Sequence, residues 1–158
     1  MDKTTHSTTP SPALATEDSA TSTPTQVKEL MTDEIMTMLP DQNFSEVVGM
    51  MANQSFRHTV VVDSDERVLG VISDRDVLRA LSRTPDWSKK IVSEIMTRDS
   101  ITTTPDSAIS AAVRVMLEKR INCLPVIGAD GRVCGILTST DLLKAYESIQ
   151  LRFEATAK

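Results

Sequence analysis

Two stretches of the chain place apolar residues three and four positions apart, the spacing of one buried helix face. They are Phe44, Val47, Val48 and Met51 in the first stretch, and Ile109, Ala112, Val113 and Met116 in the second. A short extended segment precedes each stretch and ends at Pro40 or Pro105. The Asp that follows each proline, Asp41 or Asp106, is predicted to cap the helix. The pattern therefore predicts two amphipathic helices, each preceded by a similar extended segment.

After each of these helices come two short β-branched runs joined by a polar turn, which predicts a hairpin. The runs are His58–Val62 with Arg67–Ile72, and Cys123–Ile127 with Arg132–Leu137. Another helix is predicted to begin near Asp74 after the first hairpin and near Ser139 after the second. Each unit therefore has the order strand, helix, strand, strand, helix.

The two units are copies of one repeat. Sliding the chain by 65 residues aligns Val27–Ala80 with Val92–Ala145 without a gap, and 18 of the 54 aligned positions are identical. Repeats of this length indicate one structural unit used twice. Because a unit of about 55 residues is marginally stable alone, the fold class is predicted as α/β, with the two repeats packed sheet to sheet around a pseudo-two-fold axis.

The pattern divides the chain into five parts. A Thr/Ser/Pro-rich tail, which lacks the apolar residues to form a core and is predicted to be disordered, is followed by a first domain, a connector, a second domain and a C-terminal tail. Their bounds are 1–25, 26–82, 83–90, 91–148 and 149–158.

The composition excludes several functional classes. The net charge is −5 and aromatic residues make up 3% of the chain, which disfavours binding to a nucleic-acid backbone or stacking on its bases. No apolar run is long enough to span a membrane, and the first 26 residues lack a signal-peptide core. The expectation is a cytoplasmic protein that binds neither nucleic acid nor membrane.

The cysteines Cys123 and Cys134 are both predicted to lie in the second hairpin. With its turn at 129–132, Cys123 lies opposite Thr138 and Cys134 opposite Ile127, so the two thiols do not face each other. Reduced, buried thiols are therefore expected.

The hairpins end in a shared motif, a glycine followed by a hydrophobic residue, any residue, Ser or Thr, two further residues and Asp. It reads GVISDRD at Gly70–Asp76 and GILTSTD at Gly135–Asp141, and NCLPV stands at Asn122–Val126. With this motif twice in register, residues 27–147 resemble a tandem pair of CBS domains, a Bateman module. The first copy departs from the family pattern, because Thr59-Val60-Val61 replaces Leu124-Pro125-Val126.

The resemblance implies a non-catalytic regulatory module rather than an enzyme. Such modules bind adenosine-containing ligands (AMP, ADP or ATP, and in some members S-adenosylmethionine or NAD) in clefts between the two repeats. They commonly pair into homodimers and signal occupancy by conformational change to an attached domain or a separate partner. No other cofactor is required, and since no appended effector domain is apparent, the regulated target is expected to be a separate protein.

Asp76 and Asp141 have two compatible interpretations. The motif resembles a capping box, in which Ser73 or Thr138 and the Asp satisfy free backbone amides at a helix start. In the resembled family the same Asp binds the ribose hydroxyls. A helix start presents free N–H groups and the positive end of the helix dipole, so it can also receive phosphate, with Ser73 or Thr138 helping to hold it. With the resemblance, the ligand role is favoured.

The other site residues come from the same register and are implied by the resemblance. The segments before the hairpins are expected to form the adenine side, although Phe56 and Ile121 have the alternative of being ordinary core residues. The segments at 32–33 and 97–98 are expected to close the pockets. The complete candidate set is Thr32, Asp33, Phe56, Arg57, His58, Ser73, Arg75, Asp76, Thr97, Arg98, Ile121, Asn122, Cys123, Pro125, Thr138, Thr140 and Asp141.

Charge differs between the two copies. The first has Arg57, His58 and Arg75 where the second has Asn122, Cys123 and Thr140, although Arg98 and Arg120 lie nearby in the second. Because phosphate prefers guanidinium partners, one hypothesis assigns the more phosphorylated ligand to the first pocket.

Other chemistries fit the sequence less well. His58 lacks the companion ligands that zinc requires, and the second copy has no histidine with which to repeat a Ser73–His58–Asp76 triad. A nucleotide hydrolase is disfavoured because the chain has no P-loop lysine motif. The remaining rival function is a dimeric interaction scaffold that has lost its ligand.

Overall fold

In a computed structural model of the chain, residues 22–157 are described. Residues 1–21, most of the segment predicted to be a disordered tail, lie outside the described residues. The predicted helix, hairpin and second helix are present in both repeats, and the second repeat also begins with a short helix that was not predicted. The strands are β1 (Thr37–Met38), β2 (His58–Val62), β3 (Val68–Ser73), β4 (Thr97–Arg98), β5 (Cys123–Ile127) and β6 (Val133–Thr138). The helices are α1 (Phe44–Asn53), α2 (Asp74–Arg83), α3 (Val92–Ile95), α4 (Ile109–Lys119) and α5 (Ser139–Thr156).

Each repeat is built on an antiparallel hairpin, β2 with β3 and β5 with β6. In the first repeat β1 adds a parallel strand beside β2, while in the second a single parallel bridge joins Thr103 to Val126 at the equivalent place. The two hairpins face each other across a small cluster formed by Val60, Val62, Cys123 and Ile136. The predicted α/β fold, with the two repeats packed sheet to sheet, is therefore confirmed.

The segments that open each repeat cross to the other repeat. We call residues 26–32 and 91–97 the lead segments. The first pairs with β6, through two hydrogen bonds of 2.9 Å between the backbones of Thr32 and Ile136. The second includes the start of β4 and pairs with β3, with Thr97 opposite Val71. Each lead segment therefore completes the sheet of the opposite repeat and ties the two together.

The hydrophobic cores show the same exchange. One cluster packs Phe44, Val47 and Ile72 of the first repeat around Val92 and Met96 of the second lead segment. The other packs the second repeat around Val27 of the first lead segment. Because neither core is complete without the other repeat, the two form one body.

The motif glycines are explained by this crossing. A Cβ atom at Gly70 would lie 2.5 Å from the backbone oxygen of Thr97, and one at Gly135 would lie 2.9 Å from Met31 Sδ and 3.0 Å from the Thr32 oxygen. Only a residue without a side chain allows the lead strand to approach this closely.

The predicted capping role of Asp41 and Asp106 is wrong. The first helices begin three residues later, after Asn43 and Ala108, because residues 40–43 and 105–108 form a turn first. Asp106 instead forms an ion pair of 2.7 Å with Lys28 of the first lead segment.

The cysteine register is confirmed at one position and wrong at the other. Cys123 pairs with Thr138 as predicted, but Ile127 pairs with Val133 rather than Cys134. A bulge at Val126/Ile127 shifts the pairing, so Cys134 has no direct partner there. Both cysteines are free thiols.

The second helices of the repeats differ in length. Helix α2 ends at Arg83 because Thr84 precedes Pro85, and a residue before proline is disfavoured in the helical conformation. The equivalent positions in the second repeat, Ile149 and Gln150, contain no proline, and α5 continues to Thr156, through most of the predicted C-terminal tail. Within residues 22–157 no helix is long and apolar enough to cross a membrane.

Candidate functional site

A cleft of about 890 Å³ lies between the two repeats and is lined by residues of both. Fourteen of the seventeen candidate residues line it. They are Thr32, Phe56, Arg57, His58, Ser73, Arg75, Asp76, Thr97, Ile121, Asn122, Cys123, Thr138, Thr140 and Asp141. The two pockets expected from the sequence are thus two halves of one continuous space.

Three candidate residues do not line this cleft. The exposed Asp33 lies outside it, and Arg98 turns its guanidinium to the backbone oxygen of Ser93 at 2.9 Å. Pro125 is fully buried in β5. It stands opposite Ile136 in the hairpin.

The first half of the cleft is organised around Ser73 and Asp76. The Ser73 hydroxyl accepts a hydrogen bond from the Asp76 N–H at 3.3 Å, and Asp76 Oδ2 accepts one from the Ser73 N–H at 2.9 Å. This is the expected capping box, and it fixes the carboxylate at the start of α2. Asp76 Oδ1 is also engaged, because the Arg79 guanidinium donates to it at 3.1 Å.

The second half repeats the capping box with Thr138 and Asp141. Asp141 Oδ2 accepts from the Thr138 N–H at 2.8 Å and from the Thr138 hydroxyl at 2.7 Å. Its Oδ1 atom has only a weak contact of 3.5 Å with the hydroxyl of Thr32. Lys144, the equivalent of Arg79, makes no ion pair within the described residues. Asp141 Oδ1 therefore has no close partner among the described residues, whereas Asp76 Oδ1 already accepts one hydrogen bond from Arg79.

Arg57 is already paired. Its Nε atom donates to Asp74 Oδ2 at 2.9 Å, and the Asp74 N–H donates to the Arg57 backbone oxygen at the same distance. Burial acts to raise the pKa of Asp74, but the hydrogen bond and charge of Arg57, with the Arg75 N–H, outweigh it and hold the pKa below its usual value. The carboxylate is therefore ionised at neutral pH, and Arg57 is committed to it.

His58 and Cys123 occupy equivalent positions where the hairpins cross. Burial lowers the pKa of His58, opposed by the nearby charge of Asp74, so the imidazole is neutral at pH 7. Asp141 of the opposite repeat also acts on it. Burial and the charge of Asp76 raise the pKa of the Cys123 thiol to about 12. The charge of each half's carboxylate thus acts on the first strand residue of the other repeat's hairpin.

The expected adenine side is only partly core. Phe56 is 37% exposed and lines the cleft, so the alternative of an ordinary core residue does not describe it. Ile121 lines the cleft and also packs against the second core cluster. Both side chains offer apolar surface to a flat ring.

Several lining residues were missed from the sequence. They include Glu34, Ile35, Met36, Asp74, Arg79, Asp99, Ser100, Ile101, Lys119 and Ser139. The alignment of the two repeats gave a partial indication of these residues, because the acidic residues Glu34 and Asp99 occupy equivalent positions. The crossing of the lead segments, which brings them to the cleft, has no signature in one sequence. Among the described residues no group of three or more His, Cys, Asp or Glu side chains is arranged to hold a metal ion.

Comparison with protein families gives two consecutive matches. The family described as CBS domain matches residues 27–83 and again residues 92–148. Together these segments cover more than half of the chain and coincide with the two structural repeats.

Curated relatives share this region at moderate identity. An uncharacterised 17.7 kDa protein of Acidianus ambivalens is 31% identical over 77% of this chain and 73% of its own length. An uncharacterised protein of Methanocaldococcus jannaschii is 29% identical, and a homoserine O-acetyltransferase of Methanohalobium evestigatum is 31% identical. The chain spans 77% and 78% of its own length in these matches, but only 43% and 24% of those two proteins.

Solved structures with the same fold contain bound ligands. The CBS domain pair of protein MJ0100, in complex with 5′-methylthioadenosine and S-adenosyl-L-methionine, has a TM-score of 0.71 and 27% identity, covering 78% of this chain and 96% of that one. CBSX2 in complex with AMP gives 0.68 and 25%, covering 79% and 98%. The cytosolic domain of the Mg²⁺ channel MgtE in complex with ATP gives 0.64 and 26%, covering 76% and 48%.

Proposed function

Because this chain belongs to the CBS domain family, we propose that it is a regulatory module that binds an adenosine-containing ligand in the cleft between its repeats. AMP, ADP and ATP are the expected ligands, with S-adenosylmethionine, 5′-methylthioadenosine and NAD as alternatives. The complexes of the related CBS proteins with AMP, ATP and S-adenosyl compounds support this class of ligand.

One observation carries the proposal: the carboxylates of Asp76 and Asp141, each part of a capping box, line a single cleft from equivalent positions. A ribose has two neighbouring hydroxyls that donate well to a carboxylate, and hydrogen bonds to a charged group are among the stronger ones. Asp141 Oδ1 is free to accept them, since its nearest hydroxyl is 3.5 Å away. The volume of the cleft, about 890 Å³, lies within the range usual for small-molecule sites.

The base is proposed to lie against Phe56 or Ile121, whose apolar surfaces line the cleft beside the hairpin starts. Recognition of its edge falls to backbone groups of these segments. Apolar contact with few polar anchors is the usual composition of such sites.

The output is proposed to be conformational rather than chemical. Residues of both repeats line the cleft, and each lead segment is hydrogen-bonded to the opposite repeat. A ligand that binds one relative arrangement of the repeats more tightly shifts the population toward it. We propose that a homodimer of this chain passes that change to a separate partner protein in the cytoplasm.

Isothermal calorimetry tests the proposal. The folded, ligand-free protein is titrated with AMP, ADP, ATP, S-adenosylmethionine and NAD. A dissociation constant of roughly micromolar to sub-millimolar is expected for at least one of them. The Asp141→Asn variant keeps an oxygen to accept the Thr138 N–H but loses the charge, so the affinity should fall about tenfold.

Asp130→Asn is the matched control, because Asp130 lies in the turn between β5 and β6, away from the cleft. It should bind as the wild type does. If no adenosyl ligand produced heat, the proposed function would be wrong and the interaction scaffold would replace it.

A further inference from the structure

The two halves of the cleft differ in charge at the first residue of the helix that follows each hairpin. The first residue of α2 is Asp74, and the first residue of α5 is Ser139. Both line the cleft, and both donate their N–H to the backbone oxygen of the residue immediately before the hairpin, Arg57 or Asn122, at 2.9 Å. The backbone is therefore the same, and the difference lies in the side chain alone.

Asp74 occupies the groups that an incoming anion would use. Its Oδ1 atom accepts the Arg75 N–H at 2.8 Å, and its Oδ2 atom accepts from Arg57 at 2.9 Å. A ligand phosphate at this place would lie next to the Asp74 carboxylate and would find the Arg75 N–H and the Arg57 Nε–H already bonded. Two like charges at short range lower the affinity for the ligand several-fold or more, even near a protein surface.

The second half has no such obstruction. No side chain among the described residues accepts the Thr140 N–H, which is the equivalent of the Arg75 N–H. Lys119 and Arg120 line this half, and within residues 22–157 neither forms an ion pair. The hydroxyls of Ser139 and Thr140 add neutral donors.

The charge hypothesis drawn from the sequence favoured the first half because of its arginines. In the structure Arg57 is paired with Asp74 and Arg79 with Asp76. Arg75 is the one cation of this half, among the described residues, without an ion pair. The number of basic residues is thus a poor guide to the charge available to a ligand.

We propose that Asp74 is a specificity-determining residue that excludes phosphorylated ligands from the first half of the cleft. A nucleotide phosphate is then bound in the half that contains Ser139, Lys119 and Arg120, and the first half accepts an adenosyl ligand without phosphate. This rests on the proposed function, since it assigns a ligand charge to each half of the same cleft.

Adenosine and AMP, which differ by one phosphate, are the probes for a calorimetric test. The Asp141→Asn background weakens the second half and reports on the first, and Asp76→Asn does the reverse. The measured quantity is the dissociation constant for AMP divided by that for adenosine. We expect this ratio to be about tenfold higher in the first half than in the second.

Two exchanges then move the charge. Asp74→Asn keeps the acceptor for the Arg75 N–H but removes the charge, and it should lower the ratio in the first half about tenfold. Ser139→Asp should raise the ratio in the second half by a similar factor. The two variants are independent, so a folding defect in one leaves the other as the test.

The outcomes separate the two levels of inference. A ratio that neither exchange alters, in proteins that bind adenosine, would overturn the role of Asp74 and leave the proposed function intact. Failure of the wild type to bind either probe would overturn the proposed function, and the role of Asp74 with it.

Discussion

The two halves of the cleft have the same backbone and different side-chain partners. In each half a Ser or Thr and an Asp form a capping box, and a glycine lets the opposite lead strand approach. Asp76 is held on both oxygens, by Ser73 and Arg79, whereas Asp141 Oδ1 is nearly free. A repeated motif therefore preserves the scaffold without preserving the state of the carboxylate that a ligand would meet.

The charges around these carboxylates differ in the same way. The first half is internally neutralised by the pairs Arg57–Asp74 and Arg79–Asp76. Such partly exposed pairs contribute only about 0–1 kcal/mol to stability. Their larger consequence is to remove donors and acceptors from the ligand.

The largest expected effect concerns the glycines that admit the lead strands. Gly70→Ala places a Cβ 2.5 Å from the Thr97 backbone oxygen, which cannot move without breaking the pairing of β3 with β4. It should lower the free energy of unfolding by about 3 kcal/mol, the upper part of the range for overpacking. Urea denaturation measures this loss.

Gly135→Ala is the matched variant in the second repeat. Its nearest atom is the Sδ of Met31, the end of a flexible side chain, at 2.9 Å, and the Thr32 oxygen is 3.0 Å away. The loss should be smaller, about 1 kcal/mol. Equal losses in the two variants would contradict the inferred difference between the crossings.

A smaller effect is expected from releasing Asp76. Arg79→Ala frees Asp76 Oδ1 and should raise the affinity of the first half for adenosine about threefold, since one charge-assisted acceptor becomes available. Adenosine is the appropriate probe because it lacks a phosphate that would respond to the lost cation. Calorimetry in the Asp141→Asn background measures the change.

Lys144→Ala is the control at the equivalent position of α5. Lys144 makes no ion pair within residues 22–157, so its loss should leave adenosine affinity unchanged. If Arg79→Ala also had no effect on adenosine affinity, the ion pair between Arg79 and Asp76 would not be the cause of the difference between the two carboxylates.

The smallest effect is the pH dependence that His58 contributes. Burial lowers its pKa below the ordinary value of 6.5, with Asp74 and Asp141 opposing and Arg57 reinforcing the shift. At pH values between the lowered pKa of the folded state and 6.5, His58 binds more protons in the unfolded chain than in the folded one. Its contribution to stability is therefore complete above pH 6.5 and declines as the pH falls toward the folded-state pKa. Thermal denaturation should show a small loss of Tm on acidification from about pH 7.5 to about pH 5.5.

His58→Cys copies the residue of the second repeat, whose thiol does not titrate in this range because of its raised pKa. In reducing buffer its Tm should fall less over the same interval than that of the wild type. An identical fall in both proteins would assign the pH dependence to other groups.

Much of this fold was predictable from the sequence because its signals are local. The helical spacing around Phe44 and Ile109 and the β-branched runs of the hairpins led to the right elements. The start of α2 at Asp74 was also right. The caps at Asp41 and Asp106 were wrong, because a proline followed by Asp begins a turn as readily as a helix. The bulge that displaces Cys134 depends on pairing geometry that one strand does not encode.

The continuation of α5 to Thr156 did have a local signal. The segment after Ser139 lacks proline and glycine up to that residue, whereas Pro85 stands near the end of α2. The packing of the connector around Trp87 could not be predicted from the sequence. The Trp87 ring makes an edge-to-face contact with Phe44, at 6.5 Å between centroids, and the two residues are far apart in sequence.

The sequence by itself determined that the chain is a tandem repeat, which elements each copy contains, and that Asp76 and Asp141 stand at equivalent helix starts. Each of these follows from spacing and residue type, which act over a few positions. The tertiary structure alone decided that the lead segments exchange between repeats, that the two pockets merge into one cleft, and that Arg57 and Arg79 are already paired. These depend on contacts between residues brought together by folding, and equivalent positions with different neighbours acquire different chemistry.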